Sequence, residues 1–177
     1  QIHFQQHSSG YSLIIIIIHY LYILYYMTTK KIWGNACWFL FHGVAMKLCN
    51  DREDLVKPIF DKLLYICRHL PCPICSQHAI NTFNKAKREN IRTKDDLIKF
   101  LFQFHNIVNS QTRSPQFTME EHNNMYNRIS LVGAFNNWRN VMSRNLPGDR
   151  SMLYTMSRNN MIKDVSAFFI NNRDAFY

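Results

Sequence analysis

A chain of 177 residues with 47% hydrophobic and 14% aromatic side chains can bury one full core, and its five Gly and five Pro are too few for a turn-rich sandwich or barrel. The net charge of +9 invites a polyanionic partner, but Lys and Arg are scattered among acidic residues. The surplus therefore reads as a solvated basic surface, and no nucleic-acid partner is expected. Five cysteines, an odd count, exclude a simple secreted disulfide scaffold and leave at least one free thiol.

Residues 1–26 carry no charged side chain, and every charge lies from Lys30 onward. Residues 11–27 read YSLIIIIIHYLYILYYM, at the short limit for crossing a hydrocarbon layer of ~30 Å. Two readings stay open. The segment is a membrane anchor, with Lys30 and Lys31 on the cytoplasmic side, or it is an upstream extension of a working domain that starts at Met27. It does not read as a cleaved signal peptide, because no basic region precedes it and no small-residue cleavage site follows.

From Trp33 onward apolar residues recur at helical spacing. Trp33, Cys37, Leu40, Phe41, Val44, Ala45 and Leu48 form one stripe of a first helix that ends near residues 49–50. Leu55, Ile59, Phe60, Leu63, Leu64, Ile66 and Cys67 form a second, opened by Asp51, Glu53 and Asp54, which suit a helix N-terminus. Pro71 and Pro73 break the chain and put Cys72 and Cys75 at the start of a third helix over residues 74–88. Thr93 and Asp96 read as a capping box ahead of a fourth helix over 95–110, on which His105 and Asn109 share a face. A short fifth helix is expected over 119–129. Two more follow over 131–144 and 151–171, separated by Leu146-Pro147-Gly148-Asp149. With no alternating strand, the expected fold is all-α: four core helices, a short fifth and a helical C-terminal extension. The expected division is an apolar segment over 1–29, a main domain over 30–129 and an extension over 130–177.

The pair Cys72-Pro73-Ile74-Cys75 can close an exchangeable disulfide or supply two thiolates to a metal, and its spacing does not choose. A helix N-terminus, with Arg68 nearby, lowers a thiol pKa and favours exchange. The metal alternative is a Cys3His zinc site from Cys67, Cys72, Cys75 and His78. It requires Cys67 to converge with the others across two prolines and leaves Trp38, His42 and the His105 face unexplained. Cys37 and Cys49, twelve residues apart on one helix, cannot pair with each other and read as buried free thiols, while Cys67, near Cys72 and Cys75, reads as a free thiol with a structural or resolving bridge as the alternative. Trp138 reads as core packing.

Taken together, Gly34-x3-Trp38-x3-His42, the CPIC motif and His105-Asn106-x-Val108-Asn109 followed by a Pro-x-Phe ending at Phe117 resemble the Erv/ALR flavin-linked sulfhydryl oxidases. The resemblance covers residues 31–128. Leu70-Pro71-Cys72-Pro73 and Cys75-x2-His78-Ala79 are most similar to short forms encoded by large DNA viruses. The resemblance implies a helical bundle holding FAD without a covalent bond, with Cys75 as the flavin-proximal sulfur and Cys72 as the interchange sulfur that meets the incoming thiol. It implies FAD contacts from Gly34, Trp38 and His42 on the first helix and from His105, Asn106 and Asn109 on the fourth. It further implies oxidation of protein thiols, or of a thioredoxin-like carrier, with electrons passed to O2 to give H2O2. A homodimer and action inside a virus-infected cell or virion complete the implied picture, with membrane anchoring only if residues 11–27 are retained. Asn35 and Ser114 depart from residues common in cellular members and put the phosphate contacts in question, although Arg113 sits next to Ser114. No second, shuttle CxxC is present in this sequence. A non-enzymatic adaptor of the same fold is the remaining alternative, against which the intact CPIC argues.

Overall fold

The computed structural model describes residues 9–144 and 152–177. Seven α-helices lie among these residues: α1 Ser9–Lys47, α2 Val56–Arg68, α3 Pro73–Ala86, α4 Lys94–Gln111, α5 Met119–Tyr126, α6 Leu131–Met142 and α7 Met152–Asn171. No strand is formed among them, and the all-α expectation is met. The break read at Leu146-Pro147-Gly148-Asp149 lies outside the described residues.

One difference from the sequence reading concerns α1. It does not start at Trp33 but runs unbroken for 39 residues, about 58 Å at 1.5 Å per residue. No Gly or Pro interrupts residues 11–33, and the Thr29 hydroxyl donates back to the Tyr25 carbonyl at 2.7 Å, so the ladder passes through Lys30 and Lys31. Its two halves differ in surroundings. Leu13 to Leu24 expose their side chains on all sides, whereas Trp33, Cys37, Leu40, Phe41, Val44 and Leu48 are buried. By length and composition the first half could cross a membrane.

The remaining helices are delimited by local chemistry. A 3-10 turn at Glu53–Leu55 leads into α2, whose buried face comprises Val56, Ile59, Phe60, Leu63, Ile66 and Cys67. Cys72 is the N-cap of α3 and Pro73 fills its first turn, where a missing N–H costs nothing. Thr93 and Asp96 form the expected capping box on α4, and Thr118 with Glu121 forms another on α5.

α1 packs along α6, α4 and α5, while α2 packs against α3 and α7. The C-terminal helices contribute to the same apolar core as the first four. Trp138, Val141, Met142, Met161, Ile162, Val165 and Phe169 join Leu40, Val44, Ile59 and Leu63 in one cluster. Arg158 is fully buried, with Nε donating to the Met142 carbonyl at 3.0 Å and a second nitrogen to that of Arg144 at 2.9 Å, so its charge fastens the end of α6 to α7. The chain end is held by Cys49 N–H to Ala175 O at 2.8 Å and Tyr177 N–H to Lys47 O at 3.0 Å.

Candidate active site

Cys72 and Cys75 are joined as a disulfide across the first turn of α3, with Cα atoms 5.1 Å apart. The Cys75 backbone N–H donates to Cys72 Sγ at 3.2 Å, so one of the unpaired amides of the helix start already faces sulfur. When the bond opens, these amides and the helix dipole stabilise a thiolate. Cys72 is 6% exposed, Cys75 is half-buried, and Ile74 between them is 69% exposed.

The segment leading into Cys72 is held by α7. The Tyr154 hydroxyl donates to the Leu70 carbonyl. His69 Nδ1 lies 2.9 Å from the Tyr65 carbonyl, which can only accept, so Nδ1 carries the proton and Nε2 accepts from the Ser157 hydroxyl at 3.0 Å. The C-terminal helix therefore reaches to within two residues of the disulfide.

Cys37, Cys49 and Cys67 are free. Burial pushes the Cys37 thiol up to about 12, against a smaller lowering by the Trp138 indole, and raises Cys67 well above its ordinary value, with Cys37 adding to the effect. His78 is exposed on α3. Among the described residues no three His, Cys, Asp or Glu side chains converge as a metal would require, so Cys67, Cys72, Cys75 and His78 are not brought together.

A second feature is a cluster of flat rings. Trp38 of α1 stacks on His105 of α4 with centroids 3.9 Å apart and planes 12° apart, and His42 stacks on Tyr126 at 4.2 Å. Aromatic contacts link this cluster to the disulfide's helix, since Phe83 of α3 meets Phe104 at 5.4 Å and Phe104 meets Trp38 at 5.0 Å. His42 Nε2 lies 3.1 Å from His105 Nδ1, and His42 Nδ1 lies 2.9 Å from His122 Nε2. Burial holds the His42 pKa well below the imidazole norm, aided by His122 and His105, and it holds His105 at about 4, aided by His122.

Asn106 and Asn109 occupy the same part of α4 but work through the loop that follows it. Asn106 donates to the Phe117 carbonyl at 2.9 Å and accepts from the Phe117 N–H at 3.1 Å, while Asn109 donates to the Pro115 carbonyl at 3.0 Å. These bonds place Phe117 edge-on to His105, with centroids 4.9 Å apart. Gly34 lies one turn before Trp38, and a Cβ there would meet nothing within 4 Å, which leaves that side of α1 open to another group.

The structure thus brings Trp38, His42 and His105 into contact, sets Asn106 and Asn109 beside them through the loop, and places Cys72 and Cys75 on the adjoining helix. His122 and Tyr126 of α5, both buried, complete the ring cluster and were not singled out in the sequence. Their four-residue spacing, which puts them on one face of α5, is the signal that could have found them.

Residues 35–127 match the family model described as the Erv1 / Alr family. Similar curated proteins include a putative FAD-linked sulfhydryl oxidase 096R of Invertebrate iridescent virus 3, 34% identical over 89 residues that make up 49% of this chain and 60% of the relative. A probable FAD-linked sulfhydryl oxidase FPV093 of Fowlpox virus is 26% identical over 49% of this chain and 84% of its own length. A putative FAD-linked sulfhydryl oxidase 088R of Frog virus 3 is 22% identical over 50% of this chain and 61% of its own. The chain thus spans about 60% of the length of the iridescent virus and frog virus relatives. No solved structure matches it significantly.

Proposed function

The chain belongs to the Erv1/Alr family, and from that premise we propose that it is a FAD-dependent thiol oxidase that forms disulfides in protein substrates. The reaction is 2 R–SH + O2 giving R–S–S–R + H2O2. The observation that carries this reading is the Cys72–Cys75 disulfide at the N-terminus of α3.

An incoming thiolate attacks Cys72 Sγ, forming a mixed disulfide and releasing Cys75 as a thiolate. A second substrate thiolate attacks the substrate sulfur of that mixed disulfide, forming R–S–S–R and releasing Cys72. Both leaving groups are stabilised by the amides and dipole of the helix start, which makes them good leaving groups in exchange. FAD, when bound, supplies the two-electron acceptor for the resulting dithiol and the route to O2.

The residues fit such a group. Trp38 and His105 offer flat faces suited to planar rings, the side of α1 at Gly34 is open, and His105 keeps its Nε2 for a polar group, while His42, with both ring nitrogens facing imidazoles, backs His105. Asn106 and Asn109 serve by fixing the Pro115–Phe117 loop against the cluster. The viral relatives named above support a site of action in the infected cell or virion, and the family reading supports protein thiols or a thioredoxin-like carrier as electron donors. Residues 11–27, where retained, anchor the protein in a membrane. A homodimer would have to form away from the α1 and α2 surfaces that α6 and α7 already cover.

Changing Cys75 to Ser tests the mechanism. Thiol-dependent oxygen uptake is expected to disappear while bound FAD stays, since the groups assigned to hold it lie on α1 and α4. Retained turnover in this variant overturns the assignment.

A further inference from the structure

The three imidazoles of the ring cluster form a continuous hydrogen-bonded row that reaches beyond the expected FAD contacts. It begins at Asn123, whose Oδ1 lies 3.0 Å from His122 Nδ1. It continues from His122 Nε2 to His42 Nδ1 at 2.9 Å and from His42 Nε2 to His105 Nδ1 at 3.1 Å. His122 is fully buried, His42 is 1% exposed and His105 is half-buried. His105 Nε2, at the end of the row, makes no hydrogen bond among the described residues.

A neutral imidazole has one N–H and one bare nitrogen, so each ring in such a row must donate on one side and accept on the other. Only two arrangements satisfy the inner contacts, one pointing each way along the row. The Asn123 carbonyl oxygen can only accept, so His122 carries its proton on Nδ1. His122 Nε2 is then bare and must receive the Nδ1–H of His42. His42 Nε2 is bare in turn and must receive the Nδ1–H of His105, which leaves His105 Nε2 without a proton.

We propose that His122 and Asn123 are positioning residues that set the direction of this row and thereby turn His105 Nε2 toward the cofactor site as a hydrogen-bond acceptor. The inference rests on the reading of His105 as a cofactor-facing residue and deepens it. The ligand group opposite His105 must bring an O–H or N–H, such as a ribose hydroxyl or an amino or imide N–H, because a carbonyl or phosphate oxygen would face a lone pair. Reversing the row, so that His105 donates, would require Asn123 to turn its amide and present Nδ2–H to His122 in place of Oδ1.

The rings stay neutral for a geometric reason. His42 is enclosed by Trp38, Tyr126 and the two other imidazoles, with no carboxylate among its ring contacts to support a positive charge. A proton added to His42 or His122 would break an inner bond, since an imidazolium donates from both nitrogens and its neighbour would then face it donor to donor, which leaves His105 Nε2 as the one bare nitrogen in the row that can take a proton without such a clash.

The test is the tautomer of each ring in the full chain, read from 15N resonances of protein labelled at histidine, in which protonated and bare ring nitrogens are well separated. All three are expected as the Nδ1–H form. His122→Phe keeps an aromatic ring at the site but removes the acceptor for His42, and His105 is expected to move to the Nε2–H form although it does not touch residue 122. Asn123→Leu should scramble the pattern. Asn123→Asp, whose carboxylate can only accept, should preserve it. In the same samples the FAD dissociation constant should rise about tenfold in His122→Phe, the equivalent of one hydrogen bond, and stay near the native value in Asn123→Asp.

Finding an Nε2–H form at His42 or His105 in the native chain overturns the proposal, as does an unchanged His105 in His122→Phe. Because the tautomers are read without cofactor, a chain that shows the Nδ1–H pattern but binds no FAD supports the direction of the row and refutes the oxidase reading instead. Should His122→Phe fail to fold, the Asn123 pair carries the same test from the protein surface.

Discussion

Replacing Trp138 by Ala asks whether the C-terminal helices belong to the fold that carries the disulfide. Trp138 is fully buried on α6 and packs in one apolar cluster with Cys37, Leu40 and Val44 of α1. Truncating a buried Trp costs about 3–5 kcal/mol in lost transfer and cavity energy. The buried indole Nε1 meets only the weakly accepting Cys37 sulfur, so removing it returns about 1 kcal/mol and the lower end of that range applies. At roughly 2–4 °C per kcal/mol for a domain of this size, a loss of about 3 kcal/mol lowers the Tm by roughly 6–12 °C. Urea unfolding followed by circular dichroism gives the free energy, and Val132→Ala, at a 71% exposed position on the same helix, should change it by less than about 0.5 kcal/mol. A loss under about 1 kcal/mol, or separate melting of residues 130–177 with the rest unchanged, would refute a shared core.

Two further outcomes follow from the perturbed groups. At pH 8 Cys37 and Cys67, buried and with pKa values raised to about 12 and well above normal, hold almost no thiolate, so iodoacetamide should label Cys49 first, as mass spectrometry of the native protein will show. Labelling of Cys67 as fast as Cys49 would contradict the packing. For the imidazoles, burial lowers His42 and His105 in the folded state, His105 from 6.5 to about 4, so below pH 6.5 the unfolded chain binds more protons. Stability should be full above that pH and fall toward pH 4 in urea titrations, and a rise over this window would exclude neutral buried rings.

The sequence reads well wherever one local rule decides. Proline and the capping residues fixed the starts of α3 and α4, and the 3.6-residue stripes of α1 and α2 matched their buried faces. The start of α1 was misplaced because the step from apolar to charged at Lys30 marks a change of surroundings and not of backbone, and no Gly or Pro stops the helix there. At the site, Trp38, His42 and His105 were legible as a spaced pattern. His122 was not: its four-residue spacing to Tyr126 marks a shared face of α5, but that this face is the buried one follows only once α5 is laid against α1 and α4. Asn106 and Asn109 were legible as positions, but their work in fixing the loop at Pro115 and Phe117 depends on a turn whose path the residue types leave open.

The central claim is tested most directly by an absorbance spectrum of the purified chain followed by oxygen uptake with dithiothreitol. A flavin band near ~450 nm together with thiol-dependent peroxide is the expected result. A colourless protein that binds one zinc per chain, or a flavin-loaded one that consumes no oxygen with thiol, would contradict it.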